Sequence, residues 1–561
     1  MPQRILLGDE SVALGAVHAG ISSAYAYPGT PATEIMEFLL DHKKKHGRPH
    51  AAWTANEKTA MEEALGACFA GRRALVSMKH VGLNVAADPF VNAALVSTHG
   101  GLVVAVADDP GMHSSQNEQD SRWYADFARV LCLEPATQQE AYDMTRDAFD
   151  LSERFRVPVL LRLVTRLAHS RTAVELREPR AENPIAKAPD RDSWILLPAN
   201  ARRAWRALLE RQEEMRAWSE SCAYNRLALN PERRELGIIT TGLARNYYRE
   251  NLPDLGWEPS HLHVGAYPIP AALVRRLAAH VKRILVLEDG YPYVERELRG
   301  LLPAPLEIAG RMNGGVPASG ELSPDVVRAA LGLPARVPVA YESFPIPGRP
   351  PQLCKGCPHG HAYQALREAL ADNDQSMVTS DIGCYTLGAL PPYSMIESCV
   401  CMGASVSMAK GAAEAGFHPA VAVIGDSTFL HSGMTPLLDA VAADTDMTLL
   451  ILDNEAVAMT GGQETLVPSS RLFDVVLGLG VPPEHCHLVE AAPRKVKELA
   501  ELIRREIDHR GISVIVTVRE CLETVRRKAR HAAAGAGAPG AGGAGPAGAG
   551  PAKDARQEVT A

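Results

Sequence analysis

Two side chains with oxygen donors, Asp426 and Asn454, stand at the ends of two apolar runs in the stretch 421–463, VAVIGDSTFLHSGMTPLLDAVAADTDMTLLILDNEAVAMTGGQ. The first run, 421–424, reads as a buried strand that turns sharply at Gly425-Asp426-Ser427, with an amphipathic helix following over 433–443. A second apolar strand, 447–452, delivers Asp453 and Asn454 to its C-terminal end. Strand, helix and parallel strand make one right-handed crossover, and ligands in open α/β sheets sit beyond the carboxyl ends of such strands. Asp426 and Asn454 then share a rim beside a helix N-terminus, which suits a divalent cation holding a diphosphate. The plainer reading is a crossover whose Asp caps a helix.

The second chemical set is sulfur. Cys354 and Cys357 form a C-x-x-C in LCKGCPHGH, Cys384 follows a strand in SDIGCY, and Cys521 ends the last strand, VIVTVREC. A C-x-x-C alone fits zinc, redox chemistry or no function. Four thiolates in one place suit zinc or an iron–sulfur cluster, and these cysteines supply four if their loops converge. Cys399 and Cys401 lie between, while Cys68, Cys132 and Cys222 read as neutral buried thiols. A third candidate is Glu57 in WTANEK, opening a helix of small residues (Ala60, Ala64, Gly66, Ala67, Ala70) that can pack closely on a sheet. A lone Glu in a first turn is otherwise explained by the helix dipole.

These residues need elements to hold them. Residues 1–180 alternate strands (24–27, 73–76, 101–106, 159–161) with helices (11–19, 33–45, 57–70, 138–155), a doubly wound parallel pattern. Polar clusters after the strands, at 27–31, 78–84 and 107–113, should line one rim and include Thr30, Lys79, His80 and His113. Thr30 could equally cap the helix after it. Residues 181–232, rich in Arg, Glu and Ala, read as a helical connector. A second α/β domain over 233–336 has strands at 237–240 and 283–287, the latter ending in Glu288-Asp289, which reads as a solvated loop. A Pro-rich linker over 337–352 leads to a third α/β domain over 353–530, and 531–561 is a Gly/Ala/Pro-rich tail expected to be disordered. The fold class is thus α/β, with several doubly wound parallel-sheet domains.

The 561 residues suffice for several cores, and 46% hydrophobic with 22% charged residues is globular composition. A formal charge of −8 argues against a nucleic-acid partner. No apolar stretch is long enough to span a membrane, and a start that enters directly a strand–turn–helix pattern gives a cytoplasmic reading. Ten cysteines in such a chain suit thiols or metal ligands better than disulfides.

Gly-Asp-Ser followed by a helix and a strand ending in Asp-Asn resembles the thiamine-diphosphate signature, with Ser427 in place of its usual second Gly. The phrases AYPGTPATEI, NEKTAMEEALGA, SMKHVGLNVAADP, ADDPGMHSSQNEQDSRWYA, PVLLRLVTR, CKGCPHGH, SDIGCYTLGALPP, CMGAS, GDSTFLHSG and LDNEAVAMTGGQ extend the likeness. Together they resemble the 2-oxoacid:ferredoxin oxidoreductase superfamily, and within it the alpha subunits of indolepyruvate ferredoxin oxidoreductase, near-continuously over 5–166 and 352–521. The resemblance implies oxidative decarboxylation of an arylpyruvate to its acyl-CoA, with thiamine diphosphate, Mg2+, a [4Fe-4S] cluster and coenzyme A, and electrons passed to a separate ferredoxin. It makes 1–180 a pyrimidine-binding domain, 233–336 a transketolase C-terminal-like domain and 353–530 the diphosphate-binding domain.

Carried onto this sequence, Glu57 would hydrogen-bond the aminopyrimidine and so activate the cofactor. Asp426, Asn454 and the carbonyl of Ala456 would hold Mg2+, with Gly425, Ser427, His359 and Gly403 on the cofactor-binding surface. Thr30 would contact the 2-oxoacid carboxylate, and Cys354, Cys357, Cys384 and Cys521 would ligate the cluster nearest thiamine. Lys79, His80 and His113 are candidates for holding substrate or coenzyme A. The family's small beta-type subunit implies a heterodimer or heterotetramer. Two departures stand out: no ferredoxin-like C-x-x-C-x-x-C-x-x-x-C-P run occurs, and Gly360 stands where a basic residue is expected. The competing readings are a non-redox thiamine-diphosphate 2-oxoacid decarboxylase and a catalytically silent scaffold subunit.

Overall fold

Uninterrupted apolar runs become strands buried on both faces, as parallel sheets covered by helices require. The computed structural model describes residues 2–186, 190–302, 306–337, 352–373, 375–399, 401–414 and 416–536. In the N-terminal sheet the strands Ala74–Lys79, Leu102–Asp108 and Val159–Val164 are buried along their whole length. They are flanked by Ser23–Ala26 and His50–Trp53 on one side and by Leu131–Leu133 on the other, all parallel. The helices Glu57–Phe69 and Gln138–Phe155 cover this sheet, the former through Ala60, Met61, Ala64 and Cys68. The chain start forms strand Gln3–Leu7, antiparallel to Arg171–Glu175, and passes straight into helix Gly8–His18.

The third sheet is wholly parallel, in the order Met377–Ser380, Ala420–Gly425, Met447–Asp453, Ile512–Val518, Cys486–Glu490. Its register pairs Gly425 with Leu452, so Asp426 and Asp453 leave neighbouring strands side by side. The middle sheet runs Glu307–Ala309, Arg283–Leu287, Gly237–Thr241, Ser260–Val264, with Arg226–Ala228 antiparallel at its edge. Just beyond Ser260–Val264, the two residues Ala266–Tyr267 pair antiparallel with Leu131–Leu133, joining the middle segment to the N-terminal sheet.

Three expectations are corrected. Within 181–232 the continuous α-helix is Pro198–Ser221, and Arg226–Ala228 is a strand of the middle sheet. Glu288 and Asp289 are not in a solvated loop: they are 2% and 3% exposed, because Arg122 and Arg311 bring positive charge to them from elsewhere in the chain. Residues 531–536 continue the helix Leu522–Ala536, and the rest of the expected tail, 537–561, lies outside the described residues. The expected linker lies outside them as well, except for its first and last residues. No helix among the described residues is long and apolar enough to cross a membrane.

Candidate active site

The strand-end rims of the N-terminal and third sheets enclose a cavity of about 260 Å3, with Glu57, Thr30 and Lys79 on one wall and Asp426, Asn454 and Cys384 on the other. Glu57 is fixed from its helix start outward. Asn56 caps the helix by accepting from Thr59 N at 2.9 Å, and its amide donates to the carbonyl of His431 at 3.0 Å. His431 Nε2 lies 2.9 Å from Glu57 Oε2, with both side chains buried. A π-helical turn, Phe429–Gly433, carries His431, and such turns recur where a helix must redirect a functional side chain. The Tyr27 ring meets the imidazole edge-on at 4.6 Å, and burial and the Glu57 charge push the Tyr27 hydroxyl's pKa up. Glycine is needed at Gly82, where a Cβ would come within 2.5 Å of Glu57 Oε1.

The opposite wall is rich in hard oxygen donors. Asp426 begins the helical turn Asp426–Thr428, with Gly425 as its cap and no side-chain capping bond, so the plain capping role does not apply. Its Oδ2 is buried with no donor to meet it, as is Oδ2 of Asp453, and the two carboxyls face each other. Burial, then the charge of Asp453, holds the Asp426 carboxyl well above the usual carboxylate range. Asn454 donates from Nδ2 to His359 Nε2 at 3.0 Å, and its Oδ1 accepts from Ala456 N at 3.2 Å. Burial lowers the pKa of His359 to about 4, so the ring is neutral and can accept. Two orphaned carboxylate oxygens beside an amide oxygen and a free-facing turn fit Mg2+, whose charge would relieve their repulsion. The turn residues Gly425, Ser427, Ala456 and also His359 line the cavity.

Cys354, Cys357, Cys384 and Cys521 converge. Cys357 caps the helix Pro358–Ala369, Cys384 opens the turn Cys384–Ala389, and the amide of Cys521 donates to the Asn454 carbonyl at 3.0 Å. Burial and then the other three thiols push Cys384 up to about 12, while burial foremost pushes Cys357 up to about 11. Cys399 and Cys401 are exposed and interact with Asp381 and each other instead. Gathering four thiols fits a thiolate-bound metal cluster.

Not every predicted residue reaches the cavity. Thr30 lines it and does not cap the next helix, which starts at Thr33 behind Ala32; there Thr33 Oγ1 accepts from Gly29 N at 3.1 Å. Lys79 lines it, with Nζ donating to the Ser114 carbonyl at 2.6 Å, and burial lowers its pKa to about 8. His80 is buried away from the lining with its ring against the Asn117 carbonyl at 3.2 Å. His113 is half-exposed, 3.4 Å from Glu321. Gly403 is not in the lining either: its φ of +86° and the 2.6 Å from a Cβ to Ser432 mark a backbone packed on the π turn. Sequence reasoning missed His431, Asn56, Tyr27 and the orphaned oxygen of Asp453. The available signal was weak: a His shortly after Gly-Asp-Ser and an Asn before the helix-opening Glu.

Residues 14–203 match the family model of pyruvate flavodoxin/ferredoxin oxidoreductase, thiamine diphosphate-binding. Residues 381–517 match that of the thiamine pyrophosphate enzyme, C-terminal TPP binding domain. Fold and cavity together define a thiamine-diphosphate-binding oxidoreductase subunit. Indolepyruvate oxidoreductase subunit IorA of Archaeoglobus fulgidus is 38% identical, covering 92% of this chain and 86% of its own length. Its counterparts from Methanothermobacter thermautotrophicus (38% identical, 92% and 86%) and Thermococcus kodakarensis (35% identical, 92% and 85%) are similar to the same extent. The chain belongs to the family of indolepyruvate oxidoreductase subunit IorA. Among solved structures, 2-oxoglutarate:ferredoxin oxidoreductase from Magnetococcus marinus aligns at TM-score 0.48 and 17% identity over 59% of this chain and 65% of that one, too slight a likeness to bear on function.

Proposed function

We propose that this chain, joined to a small partner subunit in the cytoplasm, oxidatively decarboxylates an arylpyruvate of the indolepyruvate kind to its acyl-CoA and passes the electrons to a ferredoxin. The observation that carries the reading is that Cys384, one of four converging thiols, lines the same cavity as Glu57, Asp426 and Asn454. Decarboxylation alone needs no redox centre. Removing two electrons, one at a time, needs one beside the site.

Thiamine diphosphate bound there supplies the electron sink that lets a 2-oxoacid lose CO2. The chain's own groups do the rest. Asp426, Asn454 and the Ala456 carbonyl would hold Mg2+, whose charge would anchor the diphosphate. His431 and Asn56 position the Glu57 carboxylate, whose Oε atoms hold or release the proton exchanged with the aminopyrimidine. Thr30 and Lys79, which line the cavity, would be partners for the substrate carboxylate. Apolar lining from Tyr27, Met402, Leu452 and Met459 suits an aromatic side chain. Cys354, Cys357, Cys384 and Cys521 would hold a [4Fe-4S] cluster, which would supply a one-electron carrier beside the cavity that hands each electron on to ferredoxin, and coenzyme A would be the acyl acceptor.

The test is iron and acid-labile sulfide per chain, with ferredoxin reduction, on protein prepared anaerobically with its partner subunit. About four of each per chain, with reduction that needs indolepyruvate and coenzyme A together, is expected. Thiamine diphosphate bound with no iron, and CO2 released without ferredoxin reduction, would overturn the reading in favour of a non-redox decarboxylase.

A further inference from the structure

Behind the Thr30 turn, away from the diphosphate wall, three elements press three ligating side chains together. Asp9 lies in the first turn of helix Gly8–His18, Glu34 in the first turn of helix Thr33–His46, and His169 ends the short helix Thr165–Ala168. One ligand atom from each lies within 4.8 Å of the others, and His169 Nε2 is 3.5 Å from Glu34 Oε1. The backbones are in close contact, since a Cβ on Gly8 would come 2.2 Å from the Leu167 carbonyl oxygen.

Asp9 is the independent sign of a ligand. It is 0% exposed, and its carboxylate oxygens find no donor: the group that meets them is Glu34, a second carboxylate. Glu34 Oε2 is likewise without a partner. A buried carboxylate facing another is stable only if the two share a proton or a cation sits between them. The arrangement favours the cation: an imidazole nitrogen completes a three-sided donor set, and Glu34 and His169, about one-third exposed, leave an open side for entry and for water ligands.

We propose that Asp9, Glu34 and His169 form a second divalent-cation site, distinct from the one at Asp426, that takes a first-row transition ion through two carboxylates and one imidazole. That mixed oxygen–nitrogen set suits Mn2+, Fe2+ or Zn2+ better than Mg2+ or Ca2+. The ion ties the start of the helix that follows Thr30 to the segment leaving strand Val159–Val164. It thereby fixes the turn that brings Thr30 into the cavity.

The test is a Mn2+ titration, followed by electron paramagnetic resonance, of the full chain already loaded with thiamine diphosphate and excess Mg2+. Uptake of a further Mn2+ is expected, with a rise in Tm. His169→Gln, on the open side, should weaken that uptake by more than about tenfold, and Asp9→Asn should abolish it. Both variants should keep their thiamine diphosphate. No additional uptake by the wild type, or unchanged uptake in folded His169→Gln, would overturn the site and leave Asp9 and Glu34 as a proton-sharing pair. Where Asp9→Asn fails to fold, Glu34→Gln takes its place and should likewise abolish the uptake.

Discussion

Glu57 and His431 hold each other at 2.9 Å, with both side chains buried. Glu57→Gln keeps the shape and a hydrogen bond to His431 but cannot exchange a proton. Thiamine diphosphate should still bind, while kcat falls by about 10²–10⁴ and exchange of the cofactor's thiazolium proton, followed by NMR, slows in parallel. Near-normal exchange would remove Glu57 from its assigned role. Lys79 gives a pH-dependent readout. Burial lowers its pKa from 10.5 to about 8, so in the folded chain it is charged below that pH and neutral above. Its hold on a substrate carboxylate should therefore fade, and KM rise, as pH passes through about 8. Between about 8 and 10.5 this lysine is protonated in the unfolded chain and neutral in the folded one, so its own contribution to folding stability should rise with pH across that window, against the opposite slope of buried thiols such as Cys357 and Cys384. Lys79→Met should remove both the KM break and that slope, which steady-state kinetics and urea titrations across pH would show. At this scale the sequence was readable where a side chain's place follows from the chain's direction. Asp426 and Asn454 end apolar strands and must reach the rim. His431 was not readable, because a π turn leaves no pattern in one sequence. His80 and His113 follow strands too, but each is turned from the cavity by a local partner, the Asn117 carbonyl and Glu321.

Elements were read best where periodicity is strong and the residues are their own evidence. The helix expected over 138–155 and the strand over 283–287 stand as Gln138–Phe155 and Arg283–Leu287. The connector was misread because an Arg/Glu/Ala composition signals helix, whereas the strand Arg226–Ala228 exists only through its partner Ser260–Val264. Glu288-Asp289 failed for the same reason: a charge pair looks solvated until distant arginines are folded against it. Close approach between elements is equally invisible in a sequence, and Gly82 is the case with a consequence. The helix His80–Val85 lies so near Glu57 that an added Cβ would meet its Oε1, Cγ and Cδ at 2.5–2.8 Å. Gly82→Ala should leave the chain folded, because its backbone is compatible with alanine and the collision is with a side chain. The displaced carboxylate would lose its bond to His431. Activity is expected to drop by at least about tenfold, with Tm changed by only a few degrees and thiamine diphosphate retained. Full activity would mean that the position of Glu57 is not set by this helix.

The largest-scale feature is the buried charge cluster that binds the N-terminal sheet to the middle segment. Arg162, 0% exposed in the middle of its strand, pairs with Asp108 at 2.6 Å and Glu134 at 2.5 Å and donates to the Asp289 carbonyl at 3.0 Å. Arg122 pairs with Asp120 at 2.5 Å and Glu288 at 3.0 Å and donates to the same Asp289 carbonyl at 3.1 Å. Tyr267, on the strand the middle segment lends, closes the set by donating to Glu134 at 2.6 Å. Both guanidiniums thus hold one foot on each side, and neither side could bury its carboxylates alone. Apolar replacement of a whole buried ion cluster is often neutral, but removal of one member leaves charges with no partner, which costs about 3–5 kcal/mol. Arg162→Met should therefore lower stability by about that much in denaturant titrations, far more than loss of an exposed pair such as Arg216–Glu213. If the cluster acts as one unit, Asp108→Asn added to Arg162→Met should recover part of the loss, since it withdraws an orphaned charge. The two changes would then be strongly non-additive. Simple additivity would instead mean that the segments are joined by the apolar contacts and the lent strand, with the ions as bystanders.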